Sequence, residues 1–88
     1  MAYRLAYAGQ AESARRQMAA HRRRQFDAEM GRTIGRAPYA HSSTPIKGER
    51  DYREATVAGA IVVYYVSAGV LTLTAVQLIA AEMHPTQD

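Results

Sequence analysis

Residues 55–81 read ATVAGAIVVYYVSAGVLTLTAVQLIAA, a run of 27 residues without Asp, Glu, Lys, Arg, His or Pro. Eleven of these residues are Val, Ile or Leu. As a helix the run would rise about 40 Å, at about 1.5 Å per residue, whereas the hydrocarbon core of a bilayer is about 30 Å thick. The other 61 residues of the 88-residue chain contain too few apolar side chains to bury such a helix in a globular core. The run therefore predicts one membrane-spanning helix in an all-α membrane protein.

The charges on the two sides of this run are unequal. All 11 Lys and Arg residues precede it, together with six acidic residues, and the only acidic residues that follow it are Glu82 and Asp88. By the positive-inside rule, the basic N-terminal region stays on the cytoplasmic or matrix side and the C-terminus crosses. For an integral protein of the mitochondrial inner membrane, the location that the resemblance in layout described below implies, this places the N-terminus in the matrix and the C-terminus in the intermembrane space.

Residues 1–30 are predicted to form a basic amphipathic arm that is helical over about residues 10–30. Alanines favour this helix, and Gly31 is placed to end it. Its apolar side is thin and follows a four-residue step that Arg22 interrupts: Ala14, Met18, Phe26 and Met30. Such a helix is expected to lie along an anionic lipid surface or an acidic protein. The Arg-rich, acid-poor composition also resembles that of a mitochondrial targeting sequence, and a solvated basic helix without a targeting role is the alternative.

Arginines before the run are the candidates for binding lipid head groups or a partner. The densest cluster is His21-Arg22-Arg23-Arg24, and neither an aromatic platform nor a zinc framework accompanies it. This pattern favours an anionic phospholipid such as cardiolipin, or a neighbouring subunit, over nucleic acid. The candidates are Arg15, Arg16, Arg22, Arg23, Arg24, Arg50 and Arg53.

Residues 31–48 are predicted to form an extended linker. Three Gly, two Pro and a Ser-Ser-Thr cluster in this segment interrupt any helix. A second helix is expected over residues 49–83, because acidic residues in its first turns suit the positive end of the helix dipole. It would contain the span and leave residues 84–88 as a short tail.

Two sets of side chains within the span are candidates for contacts with other membrane subunits. Small residues recur along one helical stripe, where they permit close approach of a second helix. This helix-packing interface comprises Ala55, Gly59, Val62, Val66, Gly69, Leu73, Val76 and Ala80. Polar groups at bilayer depth also need partners. Those residues are Tyr64, Tyr65, Thr72 and Gln77.

The sequence lacks the usual signatures of catalysis. Cysteine is absent, and His21, His41 and His84 lie in different segments, which makes a shared metal site improbable. No phosphate-binding loop, nucleophile elbow or Ser/His/Asp arrangement is present. We therefore predict no enzymatic activity, no catalytic residues, no cofactor, no metal, no small-molecule substrate and no nucleic-acid partner.

The layout of one span and a basic arm resembles that of small accessory subunits in energy-transducing membrane complexes. The leading hypothesis is therefore a non-catalytic structural subunit of a mitochondrial respiratory-chain complex or ATP synthase. A tail-anchored adaptor or small import-machinery subunit, whose basic arm recruits a partner, is one alternative. A photosynthetic-complex subunit or a small bacterial membrane regulator is the other.

Overall fold

The computed structural model describes residues 2–40 and 43–80, and these form a five-stranded sheet with two helices. In chain order the elements are β1 (Arg4–Tyr7), α1 (Gly9–Arg16), α2 (Ala20–Arg32), β2 (Thr44–Ile46), β3 (Glu49–Val57), β4 (Ala60–Ser67) and β5 (Thr72–Ala80). A 3₁₀ turn, Ala68–Val70, joins β4 to β5.

The prediction of an all-α protein with one transmembrane helix is wrong. Residues 55–80 contain the end of β3, the whole of β4 and the whole of β5. Within the described part of the chain, no helix is both long enough and apolar enough to cross a membrane. The predicted last residue of the span, Ala81, and the predicted tail 84–88 lie outside the described residues.

The burial pattern of β4 shows why the apolar run forms strands. Val62, Tyr64 and Val66 are buried on one face of the sheet, whereas Ile61 and Tyr65 are exposed on the other. β-Branched and aromatic residues of this kind suit a pleated, half-buried surface. A criterion based on length cannot distinguish a spanning helix from consecutive buried strands joined by tight turns, because both give long apolar runs.

The first of these turns is a two-residue hairpin loop between β3 and β4. Val57 pairs with Ala60, and the two residues between them, Ala58 and Gly59, both have positive φ angles, 50° and 82°. Positive φ at both central positions is the property of the type I′ turn, whose twist matches that of the flanking strands. Gly59 is therefore required for the turn and does not serve as a small residue in a helix-packing stripe.

The strands lie in the order β1-β5-β4-β3-β2, and β1 is parallel to β5 while the other neighbours are antiparallel. Because β1 pairs only with Thr72–Ala75, the second half of β5 extends beyond it. The side chain of Gln10 continues the pairing there: its amide nitrogen donates to the Leu78 carbonyl at 2.9 Å, and its amide oxygen accepts from the Leu78 N–H at 2.7 Å. A side-chain amide thus replaces a strand residue at the sheet edge.

Both helices cover the same face of the sheet. The four apolar residues of the predicted helix side, Ala14, Met18, Phe26 and Met30, are all buried there. The strands contribute Ala55, Val57, Val62, Tyr64, Val66, Leu73, Ala75 and Leu78 to the same core. The thin apolar side of the helices is therefore sufficient, because it packs on a sheet and need not stand alone.

Replacement of Ala58 by Asn should stabilise the fold. A non-glycine residue in the left-handed region costs about 1 kcal/mol, and Asn tolerates this region better than Ala does. We expect Ala58→Asn to raise the free energy of unfolding by about 0.5–1 kcal/mol in urea titrations. Ala40→Asn, at a loop position without positive φ, should not stabilise the protein, and an equal gain from both changes would contradict this account of the turn.

Removal of the Gln10 side chain should weaken the β5 edge. Gln10→Ala deletes both hydrogen bonds to Leu78 and should cost about 1–2 kcal/mol of stability. Amide exchange at Leu78 should become faster at the same time. Gln25→Ala, at an exposed position of α2, is the matched control and should leave both quantities unchanged. Wild-type exchange at Leu78 in the Gln10 variant would refute the role of this side chain.

Candidate functional site: the open face of the sheet

The second face of the sheet is not covered by either described helix. Its residues alternate with those of the core, so that Ile61, Tyr65 and Ile79 point away from the helices. Each of these large side chains is about two-fifths exposed, at 41%, 45% and 39%. An uncovered face with large exposed apolar side chains is the usual character of a binding surface. We call this surface the open face.

Strand pairing arranges the open face in rows that run across the sheet. Each row is about 7 Å from the next, because residues on one face of a strand are two positions apart. The aromatic row contains Tyr52, Tyr65, Thr74 and Ala6. On one side of it lies a polar row of Ser67, Thr72 and Arg4, and on the other side a mixed row of Glu54, Val63 and Gln77.

Tyr52 and Tyr65 form a stacked pair in the aromatic row. They are direct cross-strand partners, their ring centroids are 4.4 Å apart, and their planes differ by 15°. Tyr52 is half-buried and Tyr65 is exposed. We call these two residues the tyrosine pair.

Arg53 holds the loop beside the start of β3 and so fixes the backbone next to Tyr52. It is only 7% exposed. Its guanidinium donates to the Ser43 hydroxyl at 2.9 Å, the Ser43 carbonyl at 3.1 Å and the Arg50 carbonyl at 3.0 Å. A buried guanidinium needs such a set of acceptors, because an uncompensated buried charge is costly. Arg53 therefore has a structural role here.

Tyr39 adds to this anchoring. Its hydroxyl donates to the Asp51 carboxylate at 2.6 Å, and the Arg50 guanidinium lies 4.1 Å from its ring centroid. Burial, and then the hydrogen bond to Asp51, raise the pKa of Tyr39. The polar residues around the start of β3 thus brace one another.

The structure separates the four polar residues that were predicted to lie at bilayer depth. Tyr64 is buried in the core, where its hydroxyl donates to the Pro38 carbonyl at 2.6 Å and burial raises its pKa. Tyr65, Thr72 and Gln77 lie on the open face. Consecutive strand residues point to opposite faces, so Tyr64 and Tyr65 do not share an environment.

The predicted helix-packing stripe is also divided. Within the described residues, four of its members (Ala55, Val62, Val66 and Leu73) line the core and face the helices of the same chain. The others occupy turns or the remainder of β5: Gly59, Gly69, Val76 and Ala80. Because these residues form strands and turns, they do not make the helix-packing stripe within a membrane that was predicted.

The predicted basic residues of the arm lie on α1 and α2. Arg15 makes a bidentate ion pair with Asp27, at 2.8 and 2.6 Å. Arg23 donates to the Arg16 and Met18 carbonyls at the junction of the helices. Arg16 and Arg24 are exposed, and Arg22 is half-buried beside the β3–β4 turn. Three of these arginines therefore contact other parts of the chain, and their sequence pattern did not show this.

Clusters of potential metal ligands were sought among the described residues. In residues 2–40 and 43–80, no group of three or more His, Asp or Glu side chains is close enough to hold an ion. The residues that sequence reasoning missed are Tyr52, which pairs with Tyr65, and Glu54. Both could have been found from the two-residue alternation of β3.

Comparison with solved structures places this fold beside the RelE toxins. The isolated E. coli RelE toxin matches with a TM-score of 0.71 at 17% identity, over 98% of this chain and 89% of that chain. A free E. coli RelE variant with two arginines replaced by alanine gives 0.69 at 20% identity, over 94% and 87%. The RelBE2 toxin–antitoxin complex of Mycobacterium tuberculosis gives 0.70 at 12% identity, over 91% and 99%. No protein-family model matches the sequence, and no curated protein is significantly similar to it.

This mixed α/β fold overturns the predictions that depended on a membrane helix. The chain is not an accessory subunit of a respiratory complex or ATP synthase, and neither alternative with a membrane anchor is retained. The predicted membrane subunits and cardiolipin are wrong as partners for the same reason. The predicted integral location in the mitochondrial inner membrane is also wrong, since residues 55–80 form sheet strands.

The cluster of Tyr7, Arg15 and Asp27 generates a prediction about alkaline stability. The Tyr7 hydroxyl is buried without a hydrogen-bond partner among the described residues, and burial, with a smaller effect of Asp27, raises the pKa of Tyr7 to about 12. Because the unfolded chain loses this proton near pH 10, the contribution of Tyr7 to stability is complete below pH 10 and is lost as the pH rises towards 12.

Tyr7→Phe should therefore reduce the loss of stability between pH 9 and pH 12. We expect the alkaline loss of unfolding free energy to be smaller by about 1 kcal/mol in Tyr7→Phe than in the wild type. This is less than a pKa shift of two units would give in a fully buried site, because solvent reaches part of the ring and screens the effect. Urea titrations at several pH values measure it. The stability difference between the two proteins should be constant from pH 7 to 9, and equal alkaline losses would contradict the assignment.

Proposed function

We propose that this chain is the toxin of a toxin–antitoxin pair and that it cleaves mRNA on the ribosome, which is the activity of RelE-like toxins. The observation that carries the proposal is the correspondence of nearly the whole chain with nearly the whole of an isolated toxin, 98% and 89%. The uncovered face with its aromatic and polar rows gives such a toxin a surface for its substrate. This proposal replaces the predictions of a non-catalytic chain and of no nucleic-acid partner.

RNA cleavage is compatible with the absence of nucleophile and metal motifs. The ribose 2′-oxygen can itself attack the neighbouring phosphorus, and the bond from phosphorus to the 5′-oxygen then breaks. The protein needs to position the strand and accept the proton of the 2′-hydroxyl, while the leaving oxygen takes a proton from water. A protein of this size with one suitable surface can meet these requirements.

Glu54 is the candidate proton acceptor. It is exposed, and among the described residues it is the only carboxylate in the three rows around the tyrosine pair. Arg4, at the far side of the open face, is three strands across and two rows along from Glu54, or about 20 Å at about 4.8 Å per strand and about 7 Å per row. Because Arg4 and Glu54 cannot reach the same phosphodiester, we assign Arg4 to the RNA backbone and Glu54 to proton transfer.

The partner proposed for this toxin is an acidic antitoxin. Two of the matched structures contain E. coli RelE with a RelB antitoxin peptide or with the intact RelB partner. This chain carries a net charge of +3. Charge complementarity therefore favours an acidic partner and accelerates its association.

Induced expression in a bacterial host tests the proposal. Wild-type protein should arrest growth, and translated mRNA should be cut in primer-extension assays, whereas naked RNA should remain largely intact. Glu54→Gln should lower the cleavage rate by about 10²–10⁴-fold, the usual contribution of a general base. Glu49→Gln, at an exposed position of the same strand, is the matched control and should cleave at the wild-type rate. Normal growth with intact mRNA, in cells that contain folded protein, would overturn the proposal.

A further inference from the structure

We infer that the tyrosine pair, Tyr52 and Tyr65, is a stacking platform for one base of a single-stranded RNA. The inference rests on the proposed function, because it names the residues that hold the substrate. It is supported by three features of the open face: the geometry of the pair, the small side chains beside it, and the hydrogen-bonding groups in the neighbouring rows.

The geometry of the pair leaves aromatic surface accessible. Although the rings stack on each other at 4.4 Å, Tyr65 remains 45% exposed, whereas Tyr52 is half-buried. A cross-strand aromatic pair stabilises a sheet without needing such exposure. The exposed ring of Tyr65 can therefore take a third planar group, and nucleobases stack on aromatic side chains in single-stranded recognition.

Small side chains continue the aromatic row beyond Tyr65. Thr74 is its partner on β5, and Ala6 is the partner of Thr74 on β1. No large side chain of this row therefore stands next to Tyr65 on that side. The row forms a shallow floor that extends over two strands, or about 10 Å at about 4.8 Å per strand. A base can lie on this floor against the ring.

The neighbouring rows carry groups that suit the rest of a nucleotide. The hydroxyl of Ser67 and the guanidinium of Arg4 lie on one side, where they can bind a backbone phosphate, whereas the Thr72 hydroxyl beside them donates to the Val70 carbonyl at 3.1 Å. Glu54 and Gln77 lie on the other side, where Glu54 is the proposed proton acceptor and the amide of Gln77 can hydrogen-bond to the edge of a base. The cation and the carboxylate thus lie on opposite sides of the platform, which gives a bound strand a preferred direction.

Fluorescence anisotropy with a fluorescein-labelled RNA hexanucleotide tests the inference at low salt. Tyr65→Val should weaken binding by about fivefold to about 150-fold, which corresponds to the stacking of one base. Tyr65→Phe keeps the ring and should bind within about twofold of the wild type. Gln25→Ala, at an exposed position of α2 on the other side of the sheet, is the control and should not change the affinity. Wild-type affinity in Tyr65→Val, or no binding by the wild-type chain, would overturn the platform.

Nuclear magnetic resonance of the wild-type chain provides a second measurement that does not depend on the folding of Tyr65→Val. Stacking of a base should shift the ring signals of Tyr65 and Tyr52 and leave those of the buried Tyr64 in place. Tyr65→Phe and Tyr52→Phe assign these signals. Shifts confined to other tyrosines would contradict the inference.

The growth assay distinguishes failure of this inference from failure of the proposed function. If the wild-type chain and Tyr65→Val arrest growth equally, the platform is wrong and the toxin assignment stands. If the wild-type chain neither arrests growth nor cleaves mRNA, while Tyr65→Val still loses hexanucleotide binding, the toxin assignment fails and the platform stands.

Discussion

The pairing of β4 with strands on both sides is the constraint on which the rest of the structure depends. β4 hydrogen-bonds to β3 over six pairs and to β5 over eight, and a bulge at Val76 in β5 shifts the buried positions of that strand from Leu73 and Ala75 to Leu78. Because side chains alternate along a central strand, its pairing decides at once which residues form the core and which form the open face. A slip of one residue would expose Val62 and Val66 and bury Tyr65.

Side chains, as well as strands, satisfy backbone hydrogen-bonding groups near both edges of the sheet. Gln10 supplies a donor and an acceptor to Leu78 where β1 ends. Arg53 binds the loop that crosses the start of β3. In a chain with short outer strands, such contacts satisfy backbone groups that would otherwise lie unpaired at an edge. They also hold the open face in a fixed shape, and preorganised surfaces bind their ligands at a lower entropic cost.

Tyrosines on the open face and on the helix-covered face have different environments. On the covered face, Tyr64 buries its ring and gives its hydroxyl to a carbonyl. On the open face, Tyr65 stacks on Tyr52 and remains accessible. The similarity to RelE toxins extends over most of the chain at 12–20% identity, so it establishes the fold, while the chemistry depends on which side chains this sequence places on that face.

Some features of this protein follow from the sequence alone. The sequence indicates helix over about residues 10–30, where the structure has two helices, and the apolar residues of this segment identify the helix side that becomes buried, but the break between the helices was not predicted. The strongly apolar character of residues 55–81 is also evident from the sequence. These are local properties, which depend on neighbouring residues and on intrinsic preference.

The conformation of the apolar run was decided by tertiary structure. The same residues satisfy the length of a membrane helix and the alternation of buried strands, and only pairing with β3 and packing on α1 and α2 distinguish the two. From the sequence alone, Gly59 and Gly69 suited a helix-packing stripe, but in the structure they lie in the two turns that flank β4. The site depended still more on tertiary structure, because Tyr52 and Tyr65 meet only when β3 and β4 pair in one register. Sequence determines which side chains are available, whereas long-range hydrogen bonding determines which of them share a surface.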